Sequence, residues 1–268
     1  MKILRPRTGR VVLVGAGPGD PELLTVKAVR CLSRADVVIY DRLVDARVLE
    51  LIPESAEAIP VGKKGGHYGF PQEKIHELMV SRARAGKEVV RLQGGDPLIF
   101  GRGGEEMDYL SAHGVPFEIV PGVSAAFGVP TAAGIPLTHR ELSSSVLVLS
   151  GHRASGSDLD PSWTLAARAD TVVFLMPLGN LKQIISQLVL HGRPLDTPAA
   201  VIGSGTLERQ QEANGTLRNI FGRTRKADIR SPALLVVGEV VRFQALKRSS
   251  AESLPRVETE LAATGKKP

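Results

Sequence analysis

The 268-residue sequence has one cysteine, Cys31. A single thiol closes no intrachain disulfide and excludes a metal centre built on several thiolates, so no metal is expected; inside a helical pattern, Cys31 is expected to be a small buried filler. Aromatic residues make up only 4% of the chain, which removes the stacking platforms a single-strand nucleic-acid binder needs. Apolar runs never exceed five or six residues, and no basic segment leads into an apolar one at the N-terminus. Neither a membrane span nor a signal peptide is therefore expected, and a cytoplasmic address follows by default.

Net charge also proves uninformative about partners once it is located. The total is +6, but residues 1–10 contribute +4 through Lys2, Arg5, Arg7 and Arg10, and residues 246–268 contribute +2 from five bases and three acids. Residues 11–245 are neutral by count, so no basic face points to nucleic acid. The polar tail after residue 245 has little periodicity and is expected to be disordered.

Between these ends the chain alternates short β-branched runs with helical patterns, the signature of α/β layers with largely parallel strands. Strands are expected at 11–15, 36–40, 57–61, 88–93 and 116–120, with helices at 21–34, 72–85 and 105–113. The pattern restarts near Pro121-Gly122, with runs at 145–151, 171–176, 199–205 and 233–241 and a helix near 180–191. Two α/β domains follow, 11–121 and 122–245, flanked by a basic arm at 1–10 and the tail at 246–268.

Four glycine-rich turns stand at strand ends: GAGPGD at 15–20, GKKGG at 62–66, QGGDPLIFGRGGEE at 93–106 and PGVSAA at 121–126. A glycine at one such turn is ordinarily needed for backbone geometry alone. Four on one sheet edge, interleaved with Asp, Lys, Arg, Glu and Ser, describe a ligand cleft. The first turn looks like a dinucleotide fingerprint, but Asp20 holds the place of its third glycine. A carboxylate at a helix N-terminus repels a pyrophosphate, and Asp20 before Pro21 fits an N-cap. Asp41 ends the second strand where a ribose-binding acid could sit, which keeps an NAD-dependent oxidoreductase as a distant alternative.

The blocks VGAGPGDPELLT, YDRLV, VGKKGG, RLQGGDPLIFGRGGEE, VPGVSAA and AAGIPLTHR, in this order, resemble the tetrapyrrole C-methyltransferase family from about Val11 to Val241. The resemblance implies a two-domain class III methyltransferase fold with the cofactor, S-adenosylmethionine, folded in the inter-domain cleft and leaving as S-adenosylhomocysteine. It maps cofactor contacts onto Pro18, Gly94, Gly95, Asp96, Ile99, Ser124, Ala125, Met176, Ala200, Gly205 and Ala233. A sulfonium cation carries no phosphate and tolerates nearby acids and carbonyls, which accounts for Asp20.

Within the family the blocks are most similar to members that methylate uroporphyrinogen III at C2 and C7, through precorrin-1 to precorrin-2, for sirohaem, cobalamin or haem d1 synthesis. Methylation of a later precorrin is the alternative. A macrocycle with eight carboxylates calls for arginine forks, and Arg102 and Arg140 match substrate-contacting segments, with Lys63, Lys64, His67 and Arg42 nearby. The resemblance makes Asp41 the proton acceptor and Lys63 a proton donor or charge partner, while Arg102 and Glu105 form a second acid/base cluster; between these two sources of a base the choice stays open. Glu106 is equally eligible as the acid favoured by the helix dipole at this turn. The resemblance further implies a homodimer. With about ten residues before the first strand, it also implies a chain without the dehydrogenase and ferrochelatase module that some relatives carry.

Overall fold

The computed structural model describes residues 9–62, 70–151 and 162–243. The expectations for the basic arm before Gly9, for the 246–268 tail and for Lys63, Lys64 and His67 lie outside the described residues.

The first half builds a five-stranded sheet from β1 (Arg10–Gly15), β2 (Val37–Tyr40), β3 (Glu57–Pro60), β4 (Glu88–Gln93) and β5 (Phe117–Val120). Their order is β3-β2-β4-β1-β5, and every pairing is parallel. Parallel strands need crossovers, so both faces of the sheet are covered and the central strands read as continuous apolar runs. One face packs Val12, Val14, Val38, Val90 and Leu92 against α1 (Val26–Leu32) and α2 (Ala46–Leu49). The other packs Val11, Leu13, Ile39 and Val89 against α3 (Gln72–Arg84) and α4 (Gly103–Ala112).

The second half carries β6 (Val146–Ser150), β7 (Thr171–Leu175), β8 (Pro198–Gly203), β9 (Gln211–Thr216) and β10 (Ala233–Val237) in the order β6-β7-β10-β8-β9. Here the expectation of largely parallel strands is corrected. Only β6 and β7 run parallel; β10 runs antiparallel to both β7 and β8, and β9 antiparallel to β8. β9 is a polar edge strand with only Ala213 buried, so it carries no apolar run to read. α6 (Ser162–Arg168), α7 (Leu181–Leu190) and α8 (Ile220–Lys226) cover one face. The other face receives α5 (Ala125–Ala132), whose Ala126 and Val129 pack with Val173, Ala200 and Val236.

Two further expectations change in detail. The helix expected over 21–34 is broken: a three-residue 3-10 turn, Pro21–Leu23, is capped by Asp20, and Thr25 then caps α1 by accepting from Ala28 N. The run expected over 233–241 ends at Val237, because Gly238 turns at φ 148° into a 3-10 segment, Glu239–Phe243. Cys31 is half-buried at the edge of the α1 face, not enclosed. No helix among the described residues is long and apolar enough to cross a membrane.

Candidate functional site

The carboxyl ends of β1, β4 and β5 are joined backbone to backbone. Gly17 and Gly95 exchange amide hydrogen bonds (3.1 and 2.7 Å), and Ala16 N donates to Gln93 O at 2.7 Å. A Cβ on Gly15 would lie 2.5 Å from Gly122 N, and one on Gly122 would lie 2.3 Å from Gly95 O. No other residue fits where three loops approach this closely. Asp96 closes the junction: its carboxylate accepts from Leu98 N at 2.9 Å and from Gly122 N at 3.1 Å.

α5 ties this edge to the second sheet. A Cβ on Gly95 would find only Ala125 N within 4 Å, at 3.7 Å, so Gly95 leaves space toward the start of α5, while Gly94 packs on Leu43 Cβ. Ser124 caps that helix by accepting from Ala126 N. Pro18 sits against Gly128, and Gly205 presses so tightly on Val129 that a Cβ would overlap its side chain at 2.2 Å. The register Leu175–Leu234 and Ala233–Gly203 puts Met176, Ala233 and the Ser204–Thr206 loop at one edge of the second sheet. Across the gap Asp20 N donates to Thr206 Oγ1 at 3.2 Å.

Backbone strain concentrates here as well. Of the five non-glycine residues at positive φ among the described residues, Phe100, Met176, Ser204 and Thr206 stand in these loops. Such conformations cost of order 1–3 kcal/mol each and gather at ligand clamps. Ile99 and Met176 are 43% and 50% exposed although apolar. Together with the space beside Gly95 they offer an apolar surface to a ligand. The 3-10 turn after β1 does not suit a pyrophosphate, since the Asp20 carboxylate already accepts its Glu22 amide at 3.0 Å.

Ala200 is fully buried midway along β8, packed with Ala126 and Val129. Arg140 is exposed in the His139–Ser143 turn and makes no hydrogen bond or ion pair with another site residue among the described residues.

The charged groups divide into two sets. Arg102 and Glu105 hold each other in a two-pronged, exposed pair, Nε to Oε1 at 3.0 Å and Nη2 to Oε2 at 2.5 Å. The hydrogen bond from Arg102 pulls the Glu105 carboxyl below its ordinary range. Asp41 follows β2, where Arg91 Nη2 donates to its Oδ1 at 2.7 Å. The turn after it runs between two glycines, with Arg42 against Gly62 and Leu43 against Gly94.

Two residues of this site are not evident in the sequence. Arg91 lies inside β4 in a run that reads only as strand, and Glu106 reads only as an acid for the helix dipole. Glu106 is in fact fully buried and accepts from Arg91 Nε at 2.9 Å. The available signal is a charge within the buried run EVVRLQ.

Comparison with known proteins bears on this geometry. The family model of the tetrapyrrole (corrin/porphyrin) methylases matches residues 10–220. Siroheme synthases of Stutzerimonas stutzeri (strain A1501) and Acinetobacter baylyi are 50% and 51% identical over 237 and 233 residues. These stretches are 88% and 87% of this chain, which spans about half (51%) the length of each relative. A uroporphyrin-III C-methyltransferase from Thermus thermophilus, solved with S-adenosyl homocysteine, superposes with a TM-score of 0.75 at 46% identity, covering 87% of this chain and 99% of that one. A cobalt precorrin-4 methyltransferase gives 0.79 at 29% identity, over 90% and 99%. Glycine-zipped loops, the space beside Gly95 and a paired carboxylate on an α/β frame are the setting in which these likenesses fall, and the chain belongs to the tetrapyrrole (corrin/porphyrin) methylases.

Proposed function

We propose that this methyltransferase transfers two methyl groups from S-adenosylmethionine to uroporphyrinogen III, at C2 and C7, giving precorrin-2 by way of precorrin-1. The observation that carries the reading is the juxtaposition on one loop system: the space beside Gly95 at one end of the 93–103 loop, the Arg102 fork at the other, and the Asp41 turn packed on Gly94. Identity of 46% with the Thermus uroporphyrin-III enzyme, against 29% with the precorrin-4 enzyme, favours this substrate. The slightly higher TM-score of the latter supports a later precorrin as the second reading.

When bound, S-adenosylmethionine supplies an electrophilic methyl group on a sulfonium that leaves as a neutral thioether. The protein's part is alignment and charge. Gly94 and Gly95 present backbone without side chains, Pro18, Ser124, Ala125, Gly205 and Ala233 shape the pocket between the sheets, and Ile99 and Met176 wall it against water. Asp96 keeps the loop in register through its two amide bonds. The guanidinium of Arg102 takes a substrate carboxylate in place of Glu105, and Arg140 takes another. Once the new C–CH3 bond forms, the macrocycle loses a proton, and the Asp41 carboxylate accepts it. Lys63 serves as charge partner, and two copies of the chain form the working unit.

The test is product analysis. Incubation with S-adenosylmethionine and enzymatically made uroporphyrinogen III yields a dimethylated product by mass spectrometry; no mass gain from an active donor sinks the substrate. Asp41→Ala and Arg102→Ala each abolish turnover with S-adenosylhomocysteine affinity nearly intact. Loss of that affinity in both would show their roles misassigned.

A further inference from the structure

The first sheet carries a cation in its interior. Arg91 sits in the central strand β4, paired with Ile39 of β2 and Leu13 of β1, both fully buried. Its side chain is 4% exposed. A guanidinium persists in such a place only if paired and hydrogen-bonded. Besides Glu106 and Asp41, its Nη1 reaches the carbonyls of Ile39 and Leu92 at 3.4 Å. Burial works against its charge, but the two carboxylates outweigh burial and hold its pKa above the ordinary arginine value.

Glu106 anchors the cluster. It accepts from Arg91, from Gln93 Nε2 at 2.5 Å and from Gln72 Nε2 at 3.1 Å. The second hydrogen of the Gln72 amide faces His76 Nε2 at 3.1 Å, which makes His76 the Nδ1–H tautomer. Every member is locked except one. Asp41 is 33% exposed, and its Oδ2 has no partner among the described residues.

Stability does not require this arrangement, since apolar residues of similar size in place of a buried ion triad are often neutral or stabilising. We propose that Arg91, anchored by Glu106, is a positioning residue for methyl transfer: it fixes the Asp41 carboxylate through Oδ1 and leaves Oδ2 aimed at the bound macrocycle. The inference rests on the reading of Asp41 as proton acceptor given above. A base ordered in advance need not be ordered by the substrate, and displacement of about 1 Å can cost about 100-fold in rate.

The test compares full-length wild type with Arg91→Lys, Glu106→Gln, Asp41→Asn and the double variants, with uroporphyrinogen III and S-adenosylmethionine as substrates. Lysine keeps the charge but cannot hold two carboxylates as a fork. Arg91→Lys is expected to lose about 100-fold in kcat, and Glu106→Gln about 10-fold, with KM and S-adenosylhomocysteine Kd within about 3-fold of wild type. In the Asp41→Asn background, followed by single turnover and mass spectrometry, both substitutions cost less than about 3-fold, because coupled residues are not additive. Losses that multiply with Asp41→Asn, or a kcat loss that merely tracks a fall in melting temperature and cofactor affinity, overturn the inference and leave a core ion cluster. If Arg91→Lys does not fold, or the Asp41→Asn rate is below detection, the kcat-against-KM split of Glu106→Gln decides. Wild-type turnover by Asp41→Asn overturns instead the reading of Asp41 itself.

Discussion

Glu105 and Glu106 are adjacent in the chain, yet one is 56% exposed in the Arg102 fork and the other wholly buried against Arg91. α4 turns about 100° per residue, so neighbours on it face different media. For Glu105 the consequence is titratable. Its folded pKa is depressed, so the pair stabilises the protein above the ordinary glutamate range, about 4.3, and that contribution disappears as pH falls through the lowered value. Wild type and Arg102→Ala should therefore differ slightly in denaturation midpoint at pH 7 and converge as pH falls below the lowered Glu105 value. The gap stays below about 1 kcal/mol, as for other exposed pairs. A gap that widens in acid would contradict the pairing. The same adjacency shows why the sequence ranks these residues poorly: EE after GRGG names two acids without saying which faces the core. Arg91 is legible in principle, since charge inside a buried parallel strand breaks the local rule, but its partners lie 50 and 15 residues away.

Among the elements, glycines separate into those the fold requires and those it tolerates. Gly122→Ala pushes a methyl group into the Gly95 carbonyl at 2.3 Å and the Gly15 backbone at 2.8 Å. Backbone cannot swing aside as a side chain can, so a cost of about 1–3 kcal/mol is expected, and the displaced Gly94–Gly95 edge should raise the S-adenosylhomocysteine Kd at least about 10-fold. Calorimetry on the folded variant reads both; unchanged affinity would remove the loop junction from the binding site. Gly222 in α8 is the control. It is exposed, and a methyl group added there would meet nothing within 4 Å, so Gly222→Ala should add about 0.5–1 kcal/mol of stability and leave turnover unchanged. The elements of the first sheet are readable because parallel strands buried on both faces show as apolar runs separated by helices. Four of the five strands of the second sheet read in place but not in direction, since a buried run looks the same whichever way its neighbour travels, and the polar β9 does not read at all. The break at Thr25 is hidden because the 3-10 turn and α1 abut in one helical pattern.

At the scale of the whole molecule, each sheet has its own core on both faces, and polar links between the loops flanking the cleft are sparse among the described residues. Asp20 N–H reaches Thr206 Oγ1, Leu207 packs within reach of Gly19, and Arg209 approaches Asp45 at 3.8 Å. Burial opposes the charge of Asp45, but hydrogen bonds from Arg47 overcome it and hold the carboxyl below its usual range, so it stays available to Arg209. Among the described residues these contacts and the packing of Pro18 on Gly128 link the two sheet edges. Thr206→Val tests this with one atom changed. Both residues are β-branched, so the positive φ is no worse served, and only the hydroxyl that accepts from Asp20 is lost. One such hydrogen bond contributes about 0.5–1.5 kcal/mol, which corresponds to about 2- to 10-fold in Kd if it is needed to set the cleft. Because neither core is touched, S-adenosylhomocysteine affinity should fall by that factor while the melting temperature of the free protein barely moves. The opposite pattern, a lower melting temperature with affinity unchanged, would mean that the contact holds the halves together without shaping the cleft.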